Sequence, residues 1–121
     1  MTAKVFKLTT AGTTNLTKIG DQGGDIKGVS FVCTAAYAIF VKFYWFVPTA
    51  SAAAPTVGTT VPDMTVLVPA LGTTTGQTIQ SWPDGITKSG QLWMAVTKLA
   101  ADSDTTVVVA GDGILSVIYE G

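Results

Sequence analysis

Histidine and arginine are absent from this chain of 121 residues, cysteine occurs once, and charged residues amount to 12%. Each shortage removes a class of chemistry. Without histidine the side chain that usually shuttles protons near neutral pH is missing, and a nucleophilic thiol would find no imidazole to activate it. All seven positive charges are lysine and the net charge is -1. The chain therefore lacks the guanidinium forks and the basic excess that hold phosphate backbones, and nucleic acid is not an expected partner. The lone cysteine cannot close an intrachain disulfide; alternation in GVSFVCT sets Cys33 beside Val29 and Phe31 on one strand face, where it reads as a small buried thiol.

Acidic side chains are also few. Seven aspartates and Glu120 fall mostly at turns, so a carboxylate pair for glycoside hydrolysis would have to converge from separate loops. In ADSDTT, Asp102 and Asp104 alternate as calcium ligands would, but the glycine and the distal glutamate of the calcium-binding hand are missing, and a solvated turn is expected. The reading is of a non-enzyme with no cofactor.

No apolar run reaches the roughly 20 residues of a membrane-spanning helix. The longest, AYAIFVKFYWFV from Ala36 to Val47, is interrupted by Lys42 and stopped by Pro48, and the start MTAKVFKLTT lacks the continuous apolar stretch of a signal peptide. Neither membrane contact nor processing is expected, and synthesis is expected in the cytoplasm.

What the chain does have is threonine at about one position in six, thirteen glycines, and branched or aromatic residues in short runs. That mixture suits strands joined by tight turns and offers little to a helix. Candidate strands run over 4–10, 15–20, 25–34, 36–47, 63–71, 74–81, 91–99, 105–110 and 113–119. DQGGD (21–25), WPDGI (82–86) and VAGDGI (109–114) read as turns. The expected fold is all-β, a single antiparallel β-sandwich or jelly-roll-like domain over 1–121. Residues 1–24 are a possible extended amino-terminal arm. The small residues of 48–62 read as a long crossover loop between the sheets, a surface arm on a neighbouring subunit being the alternative.

On the aromatic strand, Tyr37, Ile39, Val41, Phe43, Trp45 and Val47 share the core face. Ala38, Phe40, Lys42, Tyr44 and Phe46 share the other, which is too apolar to stand in water. Either the chain's own segments cover it or a partner does. The interface reading, carried by Phe40, Lys42, Tyr44 and Phe46, is preferred because the surface carries so little charge. Trp82 and Trp93 are expected in the core or capping it, with sugar stacking as the alternative.

Taken in order, YAIFVKFYW, APTVGTTVPDMTVLVPA and SWPDGITKSGQLWMAVTKLAADSDTTVVVAGDGILSVIYE resemble a family of small tailed-phage virion proteins, over roughly Val29 to Tyr119. The resemblance implies a structural role on the particle surface, as a capsid decoration (cement) protein that binds the major capsid protein and stabilises the head. It also implies a homo-oligomer, preferably a homotrimer. Similar modules serve in head or tail fibres, so a fibre component that binds a host-surface glycan is the alternative.

Overall fold

The computed structural model describes residues 3–21, 24–72 and 76–121. Eight strands account for its regular structure: β1 (Lys4–Thr9), β2 (Thr17–Gly20), β3 (Asp25–Cys33), β4 (Ile39–Phe46), β5 (Met64–Val68), β6 (Gln77–Ile86), β7 (Gln91–Thr97) and β8 (Gly113–Glu120). They form two four-stranded sheets, ordered β1-β8-β3-β6 and β2-β7-β4-β5, and every pairing is antiparallel. Among the described residues there is no helix.

The pairing is nested. β4 pairs with β5, β3 with β6, β2 with β7 and β1 with β8, as though one long hairpin had been drawn out. β3 then gives its second edge to β8, and β4 gives its second edge to β7. This rolls the hairpin into two layers, which is the jelly-roll arrangement. Alternating side chains fill the space between the layers. Val29, Phe31, Leu115 and Val117 come from one sheet, and Ile39, Val41, Phe43, Leu92, Met94 and Val96 from the other. Phe31 and Phe43 stack across the layers with ring centroids 6.3 Å apart. Burying each such side chain contributes roughly 1.5–3 kcal/mol. Cys33 is buried in this core, its thiol directed at the carbonyl of Tyr37 (3.2 Å).

Several expectations are corrected. Residues 1–24 are no arm as far as they are described, since β1 and β2 are integral edge strands of opposite sheets. The 48–62 segment joins neighbouring strands of one sheet instead of crossing between sheets. Residues 105–110 are not a strand; Val108 is buried in the core, but its neighbours make loop contacts. Tyr37 and Val47 lie outside β4, and Val47 is exposed.

WPDGI is not a turn, since β6 runs through it to Ile86. Ile26 pairs with Ile86 and Gly28 with Ser81, so Lys27 stands opposite the bulged residues 82–85. β6 is an edge strand, where proline removes no ladder bond that the sheet requires. Gly85 (φ +80°) passes so near Asp25 that any Cβ would collide with its carboxylate. The 21–25 turn lies partly outside the described residues. At 109–114 the turn is present, with Gly111 at φ +83° and the Asp112 N–H donating to the Val109 carbonyl (3.2 Å).

Candidate interaction surface

β4 carries the four residues singled out for an interface on the outer side of the second sheet. Register sets Lys42 between Thr65 and Ala95, and Tyr44 beside Trp93. Lys42 and Tyr44 are almost inaccessible, at 0% and 1% exposure, because the chain covers them itself. The turn after β7 folds down over the sheet, and the Lys42 ammonium donates to the carbonyls of Ala101 (2.7 Å) and Asp104 (3.4 Å). Behind that turn lies the 48–62 segment, whose Gly58 (φ +91°) is so close that a Cβ there would sit 2.5 Å from Thr105 Cγ2. Pro55 of the same segment is buried. In the folded chain Lys42 and Tyr44 therefore offer no surface to a partner, while Phe40 and Phe46 stay half-buried at the margins of the cover.

The covered pair is electrostatically unusual. Burial holds the Lys42 amine below its ordinary value, opposed by the negative charges of Asp104 and Asp102. Burial also pushes the Tyr44 phenol up, helped by Asp102, and its hydroxyl is buried without a hydrogen-bond partner among the described residues.

Asp104 organises the covering turn. Its carboxylate accepts from the N–H groups of Leu99 (3.1 Å) and Thr106 (3.3 Å) and from the Thr106 hydroxyl (2.7 Å). Partial burial raises its pKa, but these donors together with Lys42 outweigh that and hold it below the usual value. A carboxylate engaged by three donors has little left for a cation. Asp102 is exposed, and no group of three or more potential metal ligands converges among the described residues. The sequence signal for this turn was present in DSDTT, since an aspartate two residues before a threonine is the pattern of a self-bonded turn.

The tryptophans divide. Trp82 packs half-buried against the core, whereas Trp93 lies on the outer side of the second sheet, half-buried, its indole N–H donating to Gln91 Oε1 (3.1 Å). The expected core placement is corrected for Trp93. Trp45 is the buried one, and its indole N–H donates to the Gly24 carbonyl (2.7 Å).

Charge is distributed unevenly along the sandwich. The ion pairs Lys18–Asp21, Lys27–Asp25 and Lys88–Asp63 lie toward the end where β2, β4, β6 and β8 finish. At the opposite end Asp112 and Lys98 are engaged within the chain. Tyr37 donates to Asp112 and accepts from the Val109 N–H, and Lys98 sits 4.3 Å above the Tyr37 ring. Burial and the Asp112 contact raise the Tyr37 pKa. Leu71, Val107 and Val109 stand exposed there.

No family model, curated protein or solved structure matches this chain.

Proposed function

We propose that the protein is a structural component of a tailed-phage particle, a decoration protein that seats on the shell of major capsid protein and reinforces it. The observation that carries this reading is the polarity of the sandwich. One end concentrates the ion pairs, and the other stands Leu71, Val107 and Val109 outward. An exposed apolar end on a rigid two-layer body suits attachment to another protein. The jelly roll is compatible with this role and does not argue for it, since one fold hosts many functions; the order of sequence segments resembling small virion proteins adds independent support. Many copies of a modest contact would act together across the shell.

The test is to deplete particles of the protein and measure thermal release of DNA and adsorption to cells on the same preparation. A decoration protein predicts assembled particles that release DNA at lower temperature and adsorb normally, because ligand binding to the assembled state stabilises it by mass action. Unchanged release temperature with lost adsorption would replace this reading with a glycan-binding fibre component.

A further inference from the structure

The two sheets are treated unequally by their own chain. The outer side of β2-β7-β4-β5 is covered by loops over Lys42 and Tyr44, leaving Leu67 at its edge strand 51% exposed, while the outer side of β1-β8-β3-β6 leaves Val5 at 69%, Ile79 at 67% and Ile118 at 39% exposure. Register places Val5 beside Ile118, and Ile118 beside Gly28. The next row toward the apolar end runs Lys7, Ser116, Ser30, Ile79. The floor is low and flat, with Gly28 buried and the serines half-buried.

We infer that this face is the contact between two copies of the chain, packed sheet on sheet about a two-fold axis. Charge complementarity favours a second copy as the occupant. Lys7 stands two residues from Val5 toward one end of the strands, and Glu120 two residues from Ile118 toward the other. Among the described residues neither has an ion-pair partner. Asp25, beside Glu120 in register, is already held by Lys27 at 3.2 Å.

Strands about 4.8 Å apart, rising about 3.4 Å per residue, fix where a second copy must sit for Lys7 to meet Glu120. The axis passes between Val5 and Ile118, runs across the strands and continues near Ile79. All three exposed apolar side chains then lie along it, and both Lys7–Glu120 contacts form at once, as an isologous interface requires. The strands of the two copies cross at roughly 40° from antiparallel, close to the roughly 30° at which twisted sheets stack. At a layer spacing of about 10 Å, lysine and glutamate side chains reach each other. The face offers roughly 400 Å² of projected area per copy, about 800 Å² over both copies and below the roughly 1,200–2,000 Å² total of tight complexes, so the pair is a weak, reversible one. A dimer replaces the trimer expected from sequence, and it is independent of shell attachment through the loop end.

Sedimentation equilibrium of the purified chain across micromolar concentrations tests this. The expected result is reversible association to twice the 12.5 kDa of one chain, weakened by salt. Lys7→Glu, at an exposed site that folding does not require, should weaken it by roughly tenfold or more by setting like charges together. Lys7→Glu with Glu120→Lys should restore it, which a merely misfolded variant would not do. Val5→Lys should abolish association while leaving the circular dichroism spectrum unchanged. A monomer at hundreds of micromolar, a trimer, or a dimer indifferent to Lys7→Glu would each overturn the inference.

Discussion

The ammonium of Lys42 lies 2.7 Å from the carbonyl oxygen of Ala101, tying the middle strand of one sheet to the turn that covers it. The contact is a buried cation held by backbone dipoles with no carboxylate in direct contact, an arrangement whose desolvation offsets much of what its hydrogen bonds contribute. Lys42→Ala should cost about 2–4 kcal/mol, leaving both a cavity and unpaired carbonyls. Lys42→Met fills the volume without the charge and should fall within about 1 kcal/mol of the parent, while amide exchange across 98–106 accelerates.

The same lysine predicts a pH effect of definite sign. Its folded pKa is depressed below 10.5, so between the folded value and 10.5 the unfolded chain binds the extra proton. Stability contributed by this group therefore rises with pH over that interval. Denaturant titrations of the parent and Lys42→Met should diverge there, with the parent gaining. Parallel curves through that interval would contradict the burial of the charge.

Tyr44 supplies a second test, because its hydroxyl is buried and has no hydrogen-bond partner among the described residues. Tyr44→Phe should leave stability unchanged or raise it by about 1 kcal/mol, since an unmet polar group is removed and the ring remains. Tyr44→Ala should cost about 3–5 kcal/mol, comparable with Phe43→Ala on the core side of the same strand. A shift of the denaturation midpoint reads both. If Tyr44→Ala were nearly neutral, the cover over this face would not be intact in solution.

Asp104 should behave as a local organiser and not as a metal ligand. Asp104→Ala frees three donors and should cost about 1 kcal/mol, as loss of a capping side chain does. Its depressed pKa means that its contribution is present above the unfolded value of 3.8 and lost as pH falls through the folded value. Acid titration of Asp104→Asn should lack that component. Calcium should leave the melting temperature of the parent unchanged.

At the turn before β7, Gly90 has φ +116°, and a Cβ there would lie 2.8 Å from the Phe46 carbonyl oxygen. Strain and collision act together, so Gly90→Ala should destabilise by about 1–3 kcal/mol. Gly72, at φ +113°, where an added Cβ would meet nothing among the described residues within 4 Å, gives the comparison with strain alone and should cost less.

The fold was legible wherever side-chain alternation ran unbroken. Phe31 follows Ser30, Phe43 follows Lys42 and Leu115 precedes Ser116, and strand placement there needs little beyond the period of two. Misreadings arose where tertiary contacts override local chemistry. Trp82-Pro83-Asp84-Gly85 has every local mark of a turn, yet the neighbouring ladder carries β6 past it as a bulge. Thr105 to Ala110 has the composition of a strand, but its backbone is engaged by loop partners instead, with the Thr106 carbonyl accepting from Lys98 N–H and the Val109 N–H donating to the Tyr37 hydroxyl. The interface reading of Phe40, Lys42, Tyr44 and Phe46 correctly required a cover. It could not foresee that the turn after β7 would bring a carbonyl to Lys42 from 59 residues away.

Nested pairing also dictates an order of events during synthesis. β4 and β5 can close as soon as both have emerged, but β1 must wait for β8, because Lys4 finds its ladder neighbour only at Tyr119. Distant pairings of this kind slow folding, as loop closure precedes any reward from contact. Until β8 emerges, β1 is thus an unpaired strand in a crowded solution, where such strands recruit one another. Lys4 and Lys7 place positive charge on that waiting segment, and mutual repulsion keeps nascent chains apart until the last strand arrives.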